Sequence, residues 1–158
     1  MPLANDPFEN LPRRNPYFTG REETFAAIEN GFKENSALAL TQTIAGLGGV
    51  GKSQMVLEYA HRHLTDYADA VWWINAETSL TEDCRRLLLR YDYPEDKDHY
   101  DERAVLPALQ TWYAEHHNWL LIFDNAEDYD KLEPWLPRNA KGHVLINTRD
   151  AKALPFFT

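Results

Sequence analysis

The sequence predicts an α/β fold with a mainly parallel sheet, and three observations predict it. Short apolar runs of strand length, residues 71–75 (VWWIN), 119–124 (WLLIFD) and 143–148 (HVLINT), are separated by segments whose apolar residues recur at helical spacing. A loose alternation over residues 38–44 leads straight into a glycine-rich stretch, GLGGVGKS, at residues 46–53. A helical pattern then follows at once, with Met55, Val56, Tyr59 and Ala60 on one face. Strand, loop and helix in alternation is the order in which parallel strands are wound, because each parallel pair needs a crossover.

The bulk properties agree. A chain of 158 residues with 44% hydrophobic and 13% aromatic residues is the size and composition of one globular domain. Its 25 acids against 16 bases give a net charge of −9, a field that repels phosphate backbones. Nucleic acid is therefore not an expected partner, although one local pocket could still hold a small anion. Cys84 is the single cysteine, which excludes an internal disulfide and a cysteine-built metal cage and suits a reducing, cytoplasmic setting. No apolar run is long enough for a signal peptide or a membrane span.

Taken in order, residues 1–17 carry four prolines without periodicity and read as an irregular arm, leaving 18–158 as the domain. Thr19 and Glu22 have capping-box spacing for a helix whose apolar face is Phe25, Ile28 and Phe32, ended by Gly31 and the polar KENS. Ser79 and Glu82 repeat that spacing before a face of Leu80, Cys84, Leu87, Leu88 and Tyr91. Residues 92–103 are a charged connection, read as a solvated loop. Val105, Leu106, Leu109, Trp112 and Tyr113 mark a further helix, in which Pro107 fits if it lies in the first turn. There is no internal repeat or low-complexity segment.

The glycine-rich stretch carries the chemistry. Gly46, Gly51, Lys52 and Ser53 match G-x-x-x-x-G-K-[ST], the phosphate-binding loop. Phosphate needs several donors at once. Glycines let successive backbone N–H groups point inward with no Cβ in the way, and the helix that opens here adds its free N–H groups and dipole. Gly48, Gly49, Val50, Gly51 and Gln54 belong to this cradle; Lys52 would reach the β- and γ-phosphates, and the Ser53 hydroxyl would hold Mg²⁺.

Such a site needs a carboxylate near the metal at the end of a neighbouring strand, and Asp124 at the end of WLLIFD has that setting; the alternative is a strand-terminal cap. Asn125 follows it, where phosphate-loop hydrolases of this arrangement often carry an acid that orients water. An asparagine can hydrogen-bond water but cannot take its proton at neutral pH. Glu127 and Asp128 are nearby substitutes or a solvated acidic turn. Arg149, directly after HVLINT, is a candidate γ-phosphate sensor or else a surface arginine. The histidines, including the pair His116 and His117, show no ligand constellation and read as surface or helix-end residues.

Together these residues resemble the NB-ARC group of STAND-type signalling NTPases, most closely its bacterial and fungal members with tetratricopeptide repeats. The motifs are NPYFTGRE, TIAGLGGVGKSQMVLEYAHRH, AVWWINAE, WLLIFDNAED and GHVLINTRD, over about residues 12–150. The resemblance implies a P-loop NTPase three-layer fold with sheet order 5-1-4-3-2, here truncated before strand 5. It implies that the backbone around Phe18, Thr19, Gly20 and Arg21 lines the adenine pocket, although Phe18 is equally readable as a core aromatic stapling the first helix. It also implies Lys52 and Ser53 on phosphates and Mg²⁺, Asp124 at the metal and Arg149 as sensor. The family's helical and winged-helix domains, effector domains and repeats lie outside this chain, so protein partners or fused domains, and possible homo-oligomers, are expected. The implied function is an ADP- or ATP-binding switch core acting in signal transduction in the manner of innate-immune receptors, with weak or no ATPase activity. A small-molecule kinase is a rival reading, but it would need an acceptor pocket and usually a mobile arginine-bearing lid, and residues 92–103, whose single arginine is Arg103, make a poor one. An interaction module with a decayed site is another, against which the intact Gly51, Lys52, Ser53 and Asp124 stand.

Overall fold

The computed structural model describes residues 10–34, 37–40, 49–91, 102–138 and 141–148, of which 34, 37–40, 49–52 and 102 are described by their backbone. The order is α1 (Glu22–Glu34), β1 (Ala37–Leu40), α2 (Gly49–Arg62), β2 (Ala70–Asn75), α3 (Leu80–Arg90), α4 (Glu102–Glu115), β3 (Trp119–Asp124), α5 (Tyr129–Leu132) continued by a 3₁₀ turn (Glu133–Trp135), and β4 (His143–Asn147). The four strands form one parallel sheet in the order β1-β4-β3-β2. Among the described residues, that is the 1-4-3-2 part of the expected order.

The strand pleat divides the core in two. Leu120 and Ile122 of β3, Val71 of β2 and Leu145 of β4 face one layer, where they meet Phe25, Ile28 and Phe32 of α1 and Met55, Val56, Tyr59 and Ala60 of α2. Their alternates Trp119, Leu121, Phe123, Trp72, Ile74, Val144 and Ile146 face the other, against α3 and α4. All six residues of β3 are buried. A strand covered on both faces reads as a continuous apolar run, which is why WLLIFD has no polar alternation. The result is the three-layer α/β arrangement of the P-loop NTPase fold.

Several local expectations are corrected. The Thr19–Glu22 capping box does not form. Gly20 (φ 86°) and Arg21 (φ 65°) both take the left-handed region, the helix begins only at Glu22, and the Arg21 carbonyl accepts from Thr24 and Phe25 N–H at 3.0 and 3.1 Å. Gly31 lies inside α1 rather than ending it. At α3, Ser79 is the N-cap residue but makes no side-chain cap bond; its hydroxyl donates to Asp83 at 2.7 Å, and Glu82 pairs with Arg85. Pro107 is the sixth residue of α4, in its second turn rather than its first, a position that removes one helical hydrogen bond.

Within the described part of the arm, Asn10, Pro12 and Arg14 make specific contacts with the rest of the chain. Asn10 behaves like a one-residue strand at the free edge of β2: its amide donates to the Trp73 carbonyl at 2.5 Å and accepts the Trp73 N–H at 3.0 Å. His61 on α2 meets the Pro12 carbonyl at 2.9 Å. Arg14 reaches Glu58, which is only 4% exposed, with its closest contact at 2.6 Å. Arg62 joins the same carboxylate, bonds Glu22 and lies over the Phe25 ring. Burial pushes the Glu58 carboxyl up, but the hydrogen bonds and charges of Arg14 and Arg62 outweigh it and hold it below the ordinary carboxylate value.

Candidate functional site

Because all four strands run parallel, their C-terminal ends share one edge, and the polar residues that end them collect there. Asn75 ends β2, Asp124 ends β3 and Asn147 ends β4. Backbone bonds tie these ends together: Ala76 N–H to the Asp124 carbonyl at 2.8 Å, and Ala126 N–H to the Asn147 carbonyl at 3.0 Å. Helix α2 begins at Gly49, so Gly49, Val50, Gly51 and Lys52 form its first turn. No acid stands in that turn to occupy the helix's free N–H groups.

Ser53 follows in α2, and its hydroxyl donates to Asp124 Oδ1 at 3.2 Å. The Asn147 amide donates to the same Oδ1 at 2.6 Å and to Ser53 Oγ at 3.1 Å. Asp124 and Asn147 are buried, and Thr148 beside them is 1% exposed. Asn147 Oδ1 and Gln54 Oε1 are buried with no hydrogen-bond partner among the described residues. Sequence reasoning missed Asn147. The signal was present, since HVLIN, like WLLIFD, is an apolar strand that turns polar at its last residue.

Asn125 has φ 57°, the left-handed region that asparagine tolerates better than most residues, and its carbonyl accepts from Glu127 N–H at 3.1 Å. It turns the chain sharply after Asp124. Asp128 caps α5 by accepting the Lys131 N–H at 3.2 Å, so its carboxylate is engaged locally. Phe18 packs on Phe25 with ring centroids 5.8 Å apart. Among the described residues, no hydrogen bond or ion pair joins 18–21 to Ser53 or Asp124. Gly46, Gly48 and Arg149 lie outside the described residues. A cleft of about 620 Å³ between Ser79 and Trp135 is lined by neither Ser53 nor Asp124.

The donors present fit Mg²⁺. Ser53 Oγ and Asp124 Oδ1 are hard oxygens that already face one another, and Mg²⁺ characteristically takes one or two protein oxygens and completes its shell with water and phosphate. No cluster of three His, Cys, Asp or Glu suited to a metal occurs among the described residues, so the remaining ligands would come from that source. No helix among them is long and apolar enough to cross a membrane.

No family model matches the chain. It is 28% identical over 164 residues to a nucleotide-binding leucine-rich repeat (NLR)-like protein of Hyaloscypha variabilis, covering 90% of this chain and 17% of that protein. It is 28% identical over 149 residues to the regulatory protein AfsR of Streptomyces griseus, covering 88% of this chain and 15% of that protein. The chain thus spans less than a fifth of either curated relative. Among solved structures it is similar to the ORC2 protein of Aeropyrum pernix, solved as ADPNP-ADP complexes, with a TM-score of 0.57 and 16% identity over 91% of this chain and 44% of that one. These likenesses place the chain with the P-loop NTPases at the level of the fold.

Proposed function

We propose that residues 18–158 are the nucleotide-binding core of an NB-ARC-type signalling NTPase, binding ADP or ATP with Mg²⁺ and hydrolysing slowly or not at all in isolation. The observation that carries this is the meeting of Ser53, in the first turns of the helix that follows the glycine loop, with Asp124 at the end of a central strand. A phosphate held on the free N–H groups of α2 would lie beside those two oxygens. In this reading Gly48, Gly49, Val50, Gly51, Lys52, Ser53 and Gln54 take the phosphates, residues 18–21 take the base, and Arg149 senses the γ-phosphate. Mg²⁺ would neutralise phosphate charge, which matters in a chain of net charge −9.

Slow turnover follows from Asn125, which has no basic group to offer an attacking water. The NLR-like and AfsR relatives support a regulatory rather than a metabolic role, and their greater length supports partner or fused domains outside this segment. Calorimetric titration with ADP and Mg²⁺ tests the reading. Lys52→Ala should weaken binding by about 2–3 kcal/mol, the range for charge-assisted hydrogen bonds. A folded Lys52→Ala protein that binds like the wild type would overturn the phosphate-loop assignment.

A further inference from the structure

We propose that Asn147 is a latch on the metal site: its side-chain amide occupies the face of Ser53 and Asp124 that Mg²⁺ would need, so the amide must leave when the cation enters. The inference rests on the Mg²⁺–nucleotide reading above and assigns a role to a residue outside the phosphate-loop motif.

The protons in the cluster can be placed. A carboxylate only accepts, so the Ser53 hydroxyl gives its single proton to Asp124 Oδ1 across 3.2 Å. The Ser53 oxygen then offers lone pairs, and Asn147 Nδ2 approaches it at 3.1 Å while standing 2.6 Å from Asp124 Oδ1. One amide hydrogen goes to each oxygen. The opposite amide orientation would set Oδ1 against Asp124 Oδ1, two acceptors with no proton between them, so the network itself fixes which end faces in. The amide therefore directs its positive hydrogens at the same two oxygens that a divalent cation would bind, and stands in for that cation.

The same contacts make the latch removable. Asn147 Oδ1 is buried and has no partner among the described residues, so the side chain is held at its nitrogen end alone. The main chain is held separately, with the Asn147 carbonyl accepting Ala126 N–H at 3.0 Å and Asn147 paired beside Leu40 of β1. Side-chain rotation can release Ser53 and Asp124 without dismantling the sheet.

The test uses Mn²⁺ as a paramagnetic probe, its binding with ADP to the full chain read from the loss of the free-ion resonance. Asn147→Ala should tighten Mn²⁺ binding roughly tenfold, the scale of one lost charge-assisted competitor, while Ser53→Ala and Asp124→Ala weaken it. If those two weaken binding and Asn147→Ala leaves it unchanged or weaker, Asn147 supports the ligands rather than competing, and the latch is wrong while the metal site stands. If neither Ser53→Ala nor Asp124→Ala weakens binding, the metal reading fails and the latch with it. The wild-type protein supplies a measurement independent of any variant's folding: the ¹⁵N side-chain amide resonance of Asn147 should move between ADP alone and ADP with Mg²⁺, and an unmoved resonance at metal saturation would overturn the proposal.

Discussion

Asn125 shows how one residue can be assigned to chemistry or to backbone geometry. Its place beside Asp124 suggests water orientation, yet its φ of 57° shows a second demand at the same position. Left-handed backbone costs a residue with a Cβ about 1 kcal/mol or somewhat more, and asparagine and glycine least. The two demands separate under substitution. Asn125→Gly retains the turn and deletes the amide, whereas Asn125→Ala deletes the amide and strains the turn. Chemical denaturation should find Asn125→Ala about 1 kcal/mol less stable than Asn125→Gly. ATP turnover in the Gly variant should stay near the wild-type rate if the residue serves the turn. A loss of turnover in both variants alike would return Asn125 to the chemistry.

Among the elements, the described part of the arm, residues 10–17, is the one whose contacts composition least reveals. Prolines and the lack of periodicity speak to backbone alone and say nothing of side chains that bond other elements. The edge of β2 presents unpaired N–H and C=O groups, and Asn10 satisfies both groups of Trp73. Asn10→Ala should therefore lower stability by about 1–2 kcal/mol, two ordinary net hydrogen bonds, and speed amide exchange at Trp73 without changing exchange in buried β3. Unchanged protection at Trp73 would show that the contact adds nothing in solution. Strand existence was legible, because doubly covered strands such as Trp119–Asp124 have to be continuously apolar, whereas the strand order was legible only through the family resemblance. Helix starts were not. Thr19 and Ser79 have the right spacing, but Gly20 and Arg21 bend the backbone away at one, and Asp83 takes the hydroxyl proton at the other. Ser53 and Asp124 were legible as a pair because each stands next to a strong local pattern. Asn147 carries a weaker signal, a polar residue ending an apolar strand, and its contact with Asp124 arises only once the parallel sheet brings the ends of β3 and β4 together.

At the scale of the whole molecule, the two ends of the sheet have opposite characters. The C-terminal edge gathers Ser53, Asp124 and Asn147. Near the N-terminal edge, His143 at the start of β4 is stacked on Phe32 with centroids 4.2 Å apart and bonded to Tyr67 across 2.8 Å. Tyr67 in turn meets Tyr59 at 3.4 Å. This chain borders a cleft of about 460 Å³ that also meets Glu29, Lys33, His63, Asp66 and Lys141. Burial raises the Tyr67 phenol well above its usual range and lowers the His143 imidazole, so the bond between them joins a neutral phenol to an imidazole that resists protonation. The sign of the pH effect follows. Above about pH 6.5 His143 is neutral in both folded and unfolded chains and contributes nothing. Below it the unfolded imidazole takes a proton that the folded one refuses, so the native state loses stability as the pH falls. Glu58 acts later and in the same direction, because its folded carboxyl sits below the ordinary value near 4.5 and holds stability that is lost only in stronger acid. Denaturation midpoints should therefore hold above about pH 6.5 and decline as the pH falls below it, before any carboxylate contributes much. His143→Gln has no proton to gain and should flatten that interval while leaving the steeper loss below about pH 4.5 in place. An undiminished decline in His143→Gln would assign the acid sensitivity to another histidine and detach it from the Tyr67 chain.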